Sequence, residues 1–261
     1  IFAIAGGYEA TYQDLATQLG RGAVVTLTSD SSNIVAAITA GMTAATTTHI
    51  EDAHGGSGDD VVLGGVEDNA LWGNAGNDLI DGRGGHDRLD GGAGDDVLTG
   101  GEGNDAFLFT GTGGGFDTID GGAGDDSLLA MADGTAIGVS QLVGVEVISD
   151  EGHVGVWLRG SIAANLIDLS GTLLTGITAI DGGAGNDSII GSNGADTIVG
   201  GAGRVVLTGG LGADVFVFKS ANESKLSAWD RITDFTQGAD VINLVGMDAN
   251  SLLAGRQGFG F

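Results

Sequence analysis

Residues 73–108 run GNAGNDLID, GRGGHDRLD, GGAGDDVLT and GGEGNDAFL, which are four consecutive steps of nine residues. Each of these steps opens with Gly, carries Asp at its sixth position and has an apolar residue at its eighth. The pattern begins at residue 55 with GGSGDDVVL and GGVEDNALW, and it returns at residues 112–129 and 182–217. Self-similarity at a short fixed period is typical of a solenoid that stacks one small structural unit on the next.

The eighth position of the step predicts the core of this solenoid. Glycines allow the loop to turn tightly, and the last three residues of each step form a short strand with one inward side chain. Two steps then make one flattened coil, and successive coils stack at about 4.8 Å. A flexible Gly/Asp-rich linker is the alternative, but it has no reason to keep the following positions apolar: Val62, Leu71, Ile80, Leu89, Leu98, Phe107, Ile119, Leu128, Ile189, Ile198, Leu207 and Phe216.

The sixth position brings acidic side chains together, because residues 18 apart lie in adjacent coils. Two carboxylates about 5 Å apart repel by about 3 kcal/mol at an effective dielectric constant of 20, and a divalent cation between them reverses the sign. Loop carbonyls add hard oxygen ligands, which suit Ca²⁺ better than Mg²⁺ or Zn²⁺. The predicted pairs are Asp60/Asp78, Asp78/Asp96, Asp87/Asp105 and Asp196/Asp214, with Asn69/Asp87 as a weaker pair.

Two parts of the arrays depart from the regular spacing. The pairs Asp96/Asp117 and Asp105/Asp126 align only if the slip before residue 112 is a bulge. Asp187 has no acidic partner, because its counterpart in the next coil is Val205.

Composition excludes several other functions. The net charge of −26 repels nucleic acid and anionic lipid surfaces, so we expect no nucleic-acid partner. Cysteine is absent, which excludes disulfides and thiolate metal sites. No apolar run of 18 residues predicts a membrane span. The first residues do not resemble a classical signal peptide, and we expect both ends to be cut from a longer protein.

Four regions are expected along the chain. Residues 1–54 form an N-terminal cap with a short helix at 8–19 and strands at 24–28 and 34–38, and residues 55–129 form the first array. Residues 130–181 contain β-rich runs at 145–148, 154–158, 166–169 and 177–180. We interpret them as a calcium-poor solenoid bridge, with a separate small sandwich as the alternative. Residues 182–261 form the second array and a capping segment, with a short helix at 249–253.

The steps resemble the GGxGxDxUx nonapeptides of RTX (repeats-in-toxin) proteins over about residues 49–129 and 176–245. This resemblance implies an all-β fold, a right-handed parallel β-roll with calcium bound in stacked turns. It implies that the second and fourth carbonyls and the sixth side chain of one step bind calcium from one side. The first and third carbonyls and the sixth side chain of the next coil close the site. The first site would use Gly56, Gly58 and Asp60, then Gly73, Ala75 and Asp78.

We expect about five to eight calcium ions along the two arrays. Glu67, Asn69, Arg204 and Val205 depart from the motif and leave the exact number open. The remaining implied ligands are Asn69, Gly76, Gly82, Gly84, Gly85, Asp87, Gly91, Ala93, Gly94, Asp96, Gly100, Gly103, Asp105, Asp117, Gly122, Gly124, Asp126, Gly183, Gly185, Asp187, Gly194, Asp196, Gly209, Leu211 and Asp214.

Two further stretches are similar to the C-terminal regions of serralysin-type secreted metalloproteases. They are THIEDAHGGSG at residues 48–58 and the segment at 214–244, which contains WDRITDFTQGADVINL. Similar capping segments occur in alginate-modifying enzymes and large adhesins that carry RTX repeats. The resemblance therefore indicates a kind of module and does not indicate a reaction.

The sequence predicts no catalytic residues. His49 and His54 do not have the spacing of an H-E-x-x-H zinc motif, and no G-x-S-x-G motif is present. We expect a calcium-triggered folding module of a type I secreted protein, located outside a bacterium or on its surface. The alternatives are an accessory C-terminal domain of a secreted metalloprotease, lipase or polysaccharide-modifying enzyme, and a structural unit of an adhesin or surface layer. The expected partners are calcium, the type I secretion machinery and an extracellular polysaccharide or cell-surface ligand.

Overall fold

A computed structural model of the chain describes residues 2–4, 23–27, 35–36, 50–220, 223–224 and 227–244. Within these ranges the chain forms short β-strands and no helix. The helices predicted at residues 8–19 and 249–253 lie outside them. The chain divides into two compact units, Ile1–Val156 with Leu174–Ile177, and Trp157–Leu173 with Thr178–Phe261.

The first unit contains two parallel sheets, and the chain alternates between them. One sheet contains β1 (Phe2–Ile4), β2 (Ala23–Leu27), β4 (Ile50–His54), β6 (Ala70–Ala75), β8 (Arg88–Ala93), β10 (Ala106–Phe109), β12 (Ser127–Ala130) and β14 (Val147–Ser149). The other contains β3 (Val35–Ala36), β5 (Val61–Leu63), β7 (Leu79–Gly84), β9 (Val97–Glu102), β11 (Asp117–Ala123) and β13 (Ala136–Val143). One coil therefore consists of two steps, as the repeat predicts.

Strand pairing follows the repeat residue by residue. In β6 and β8, Leu71 lies opposite Leu89, a separation of 18 residues. The slip before residue 112 leaves this alignment intact, because Leu98 of β9 lies opposite Ile119 of β11, 21 residues later. The extra residues, 109–111, lie at the end of β10 and in the connection that follows it, so the aligned rows are kept on both sides.

The core is the row of eighth-position side chains between the two sheets. All of them are at most 1% exposed, and Phe107 is among the largest side chains that are fully buried. Their neighbours in each strand alternate towards the outside, as in the intermediate–buried–intermediate pattern of β5. Burial of these apolar side chains supplies the hydrophobic stabilisation of the coil.

The second unit repeats this arrangement with shorter strands. One row of parallel strands contains β15 (Trp157–Arg159), β18 (Ile180–Asp181), β20 (Thr197–Val199), β22 (Val215–Val217) and β24 (Val241–Asn243). The other contains β16 (Leu166–Asp168), β19 (Ser188–Ile190), β21 (Val206–Thr208) and β23 (Arg231–Ile232). The remaining strand, β17 (Leu173–Thr175), lies at the boundary that divides the units.

The all-β parallel solenoid predicted from the repeat is confirmed. The longest strand, β13, was not predicted, because residues 136–143 lack the Gly-rich loop and alternation of a step. It pairs with β11 through a register shift at Asp117 and Thr118. Among the residues that the structure describes, none forms an apolar helix of the length that a membrane crossing requires.

Candidate metal sites

The sixth-position side chains form columns in which each coil is hydrogen-bonded to the next. In every pair the Oδ1 atom of the later residue accepts a hydrogen bond from the backbone N–H of the earlier one. The first column of the first unit joins Asp60 to Asp78 (2.7 Å), Asp78 to Asp96 (2.8 Å) and Asp96 to Asp117 (3.0 Å). The second column joins Asn69 to Asp87 (2.7 Å), Asp87 to Asp105 (2.8 Å) and Asp105 to Asp126 (2.8 Å).

The slip therefore does not interrupt either column, and the two pairs whose alignment depended on it are brought together. The second unit has an equivalent contact between Asp196 and Asp214, at 3.0 Å. The counterpart of Asp187 in the next coil is Val205, because Ser188 of β19 lies opposite Val206 of β21. There the backbone N–H of Val205 donates to Asp230 Oδ1 at 2.9 Å.

The second carboxylate oxygen of most of these residues is buried without a hydrogen-bond partner among the described residues. These Oδ2 atoms belong to Asp78, Asp87, Asp96, Asp105, Asp126, Asp187, Asp214 and Asp230. Asp60, Asp117 and Asp196 are not in this set. The backbone N–H of Gly56 donates to Asp60 Oδ2, and that of Ser192 donates to Asp196 Oδ2. A buried charged oxygen without a partner is costly, so these columns require a compensating cation or proton.

Backbone carbonyl oxygens converge on the same buried carboxylates. A Cβ atom added to Gly82 would collide with Asp87 Oδ2 and with the Gly100 carbonyl oxygen of the next coil. The carbonyl oxygens of the second and fourth positions also point towards the next coil. A Cβ on Gly94, which has a φ of 137°, would collide with the Gly76 carbonyl. Only glycine fits where the coils approach this closely.

The available donors suit a hard cation. In the described part of the chain, no three His, Asp or Glu side chains form a metal-binding group, so each site offers carboxylate and carbonyl oxygens. Calcium accepts six to eight such ligands in flexible geometry. The third-position carbonyls also accept hydrogen bonds, for example from Gly76 N–H to Ala93 at 2.9 Å. A carbonyl oxygen has two lone pairs, so this bond leaves one for a metal ion.

Burial raises the pKa of ten of the column carboxyls. Desolvation is the largest cause at each, opposed by the backbone hydrogen bond and reinforced by neighbouring carboxylates. The pKa of Asp117 rises to about 8 and that of Asp87 to about 7, and those of Asp96 and Asp126 each rise to about 6. The pKa is also raised at Asp78, Asp105, Asp187, Asp196, Asp214 and Asp230.

These shifts predict that acidification stabilises the calcium-free fold. A raised carboxyl pKa means that the folded state binds protons more tightly than the unfolded state, so stability is lost as pH rises through the folded-state values of about 6 to 8. In calcium-free buffer, the β-sheet circular dichroism signal should grow as pH is lowered from about 8 to about 5. The opposite trend would contradict the burial of these groups.

The matched control repeats the pH series in saturating calcium. Protons and calcium compete for the same carboxylates, so thermal stability should now fall on acidification. If acidification raises stability without calcium and lowers it with calcium, the pH dependence arises from the column carboxyls and not from a general effect of net charge.

Several column residues were missed from the sequence. Asn165 N–H donates to Asp187 Oδ1 at 2.9 Å, and residues 160–168, GSIAANLID, form a degenerate step with Ile167 buried at the eighth position. The nine-residue spacing could have revealed this step. Asp240 accepts the Asp214 N–H at 3.1 Å, and Glu146 accepts the Asp126 N–H at 2.8 Å. These two acids lie outside any nonapeptide, so spacing carried no signal.

The fold and the columns define the class of the protein, a parallel β-solenoid built from nonapeptide repeats. The RTX calcium-binding nonapeptide repeat (4 copies) family matches residues 54–89, 81–108 and 112–133, and the Peptidase M10 serralysin C terminal family matches residues 160–257. The chain therefore contains RTX calcium-binding nonapeptide repeats, followed by a region similar to the serralysin C-terminal family. No curated protein matches it.

The two families carry general properties with them. RTX repeats bind calcium, and RTX and serralysin-type domains are typical of secreted extracellular bacterial proteins that use type I secretion. Neither match is to the catalytic domain of an M10 peptidase.

Proposed function

We propose that this chain is a calcium-triggered folding module of a type I secreted extracellular protein and has no catalytic role of its own. The observation that carries the proposal is the set of buried Oδ2 atoms that lack a hydrogen-bond partner among the described residues. Without a cation, each such oxygen destabilises the folded state. When a cation is present, the same oxygen serves as its ligand.

The proposed ligand sets follow the scheme that the RTX resemblance implies. Each site takes the second and fourth carbonyls and the sixth carboxylate of one step, with the first and third carbonyls and the sixth side chain of the next coil. The convergence of Asp87 Oδ2 and the Gly100 carbonyl supports this assignment, as does that of Asp105 Oδ2 and the Gly121 carbonyl. We propose five to eight ions in total, with an incomplete ligand set where Val205 replaces an acid.

Calcium would act as a trigger because its concentration differs across the cell envelope. When calcium is scarce the acidic loops repel one another, which keeps the chain loose for passage through a secretion channel. A site with a Kd near 10⁻⁴ M adds about 1.4 kcal/mol at about 1 mM calcium. Five to eight sites add of order 10 kcal/mol, comparable with the stability of a whole domain.

Direct counting of bound ions tests the proposal. The purified chain is dialysed to equilibrium against about 1 mM calcium, and bound metal is measured per chain, with an expected result of five to eight ions. A parallel dialysis against the same concentration of magnesium should leave far fewer ions bound, because the loops do not impose octahedral geometry. A calcium count near zero would overturn the proposed function.

A second candidate function is an accessory C-terminal domain of a secreted metalloprotease. The match of residues 160–257 to the serralysin C-terminal family favours it. The coding sequence on the N-terminal side decides between the two. An H-E-x-x-H motif in the same open reading frame would support the protease, whereas further repeats without such a motif would argue against it.

A further inference from the structure

We propose that Gly144 and Glu146 complete an additional calcium site at the end of the second column of the first unit. The inference rests on the calcium function proposed above and extends it to residues outside the nonapeptides. Both residues lie between the matched regions, which end at residue 133 and resume at residue 160.

Asp126 provides the buried half of this site. Its side chain is 0% exposed, and its Oδ1 atom accepts the Asp105 N–H at 2.8 Å. Its Oδ2 atom is buried and has no hydrogen-bond partner in the described part of the chain. A cation at this oxygen would satisfy the last carboxylate of the nonapeptide array in the way proposed for the earlier ones.

Gly144 provides a carbonyl in the position that the first residue of a step normally takes. A Cβ on Gly121 would collide with both the Gly144 carbonyl oxygen and Asp126 Oδ2. One coil earlier, a Cβ on Gly100 would collide in the same way with the Gly121 carbonyl and Asp105 Oδ2. The oxygen pair that marks the preceding site is therefore repeated, although residue 144 does not begin a nonapeptide.

Glu146 provides the second carboxylate. Its Oε2 atom accepts the Asp126 N–H at 2.8 Å, the distance at which Asp126 Oδ1 accepts the Asp105 N–H. Glu146 follows Gly144 by two residues, whereas Asp126 follows Gly121 by five. The loop between carbonyl and carboxylate is thus shortened, and the longer Glu side chain reaches the position of the missing Asp.

The shortened loop gives this site its own character. Only Val145 lies between Gly144 and Glu146, so the loop has fewer backbone carbonyls before its carboxylate than an ordinary step, and Glu146 is only half-buried. Fewer ligands and greater exposure favour a weaker site than those inside the array, because calcium affinity depends on ligand number, charge and rigidity. We expect the ion at Glu146 to be the first that the unit releases on dilution of calcium.

Calcium counting in matched variants tests the site. Glu146→Gln removes the proposed ligand charge, and Glu151→Gln makes the same change at an exposed residue of the same unit. Calorimetric titration with metal analysis should show one ion fewer for E146Q and an unchanged count for E151Q. An unchanged count and affinity in E146Q would overturn the inference while leaving the proposed function intact. A wild-type chain that binds no calcium would instead overturn both.

A second variant covers the case in which E146Q does not fold in calcium. Glu146→Asp keeps the charge but shortens the side chain by one methylene, so the carboxylate no longer reaches the Asp126 N–H. Titration of E146D should show the weakest calcium site weakened or lost and the other sites unchanged. Wild-type binding at every site in this variant would contradict the assignment, because a ligand in direct contact with the ion cannot be shortened without effect.

Discussion

In chelator at about pH 8, the chain is expected to give a disordered circular dichroism spectrum that becomes β-rich when calcium is raised to about 1 mM. Without calcium, the fold must bury several carboxylate oxygens that have no partner among the described residues, and it must carry a net charge of −26. With calcium, the five to eight ions proposed above would contribute of order 10 kcal/mol, which is the whole stability of a typical domain. This is the largest effect that we predict.

The control for this prediction is an equal ionic strength of a monovalent salt. Screening by salt reduces long-range repulsion but cannot supply ligands to a buried oxygen, so the monovalent salt should restore little of the β-sheet signal. A β-rich spectrum in chelator with a cooperative thermal transition would show that the coil folds without the ion, and the trigger would be wrong.

Changing Asp96 to Asn is expected to have opposite effects in the two states. Burial raises its pKa to about 6, so the ionised form is disfavoured in the metal-free fold. Removal of the charge should stabilise that fold by about 2 kcal/mol at about pH 8, once screening by solvent is allowed for. With calcium, Asp96 belongs to two proposed sites, and their loss should destabilise the fold by about 3 kcal/mol at about 1 mM calcium. Thermal melts with calcium measure the expected destabilisation. Thermal melts without calcium, in a stabilising osmolyte, measure the expected stabilisation.

Asp95→Asn is the matched control, because the two carboxylates are adjacent in the chain. Asp95 is exposed, and its Oδ1 atom accepts the Phe116 N–H at 2.8 Å, which the amide oxygen of Asn can also do. We expect D95N to change both melting temperatures little. If D95N and D96N changed the melting temperatures equally, only the net charge would matter. That result would contradict the proposed column of cation sites.

The sequence predicts the regular part of the molecule well, because one short repeat determines the loop, the strand and the core position together. The pairing of Leu71 with Leu89 and the contact of Asp87 with Asp105 both follow from a separation of 18 residues. The alignment of Asp96 with Asp117 could be stated only conditionally. A repeat does not reveal whether inserted residues lie within the ladder or outside it.

The remaining parts of the site could not be derived from spacing. Glu146 joins the second column through a shortened loop, and Asp230 joins a column 25 residues after Val205. Their positions depend on the paths of connections that share no period with the array. Strand β13 was missed for a related reason, because its first four residues are all buried and do not alternate. Such a run carries no period-two signal.

The alternation of strands between two sheets means that the strand ladders described here join each coil to the coil before it and the coil after it. Such an array behaves as a one-dimensional lattice, in which stability is a sum of local terms and nearest-neighbour couplings. A defect at an end only shortens the lattice, whereas a defect in the interior divides it into segments that melt separately. Val205, an apolar residue between Asp187 and Asp230, is such an interior defect, and it marks where cooperative melting of the second unit should break.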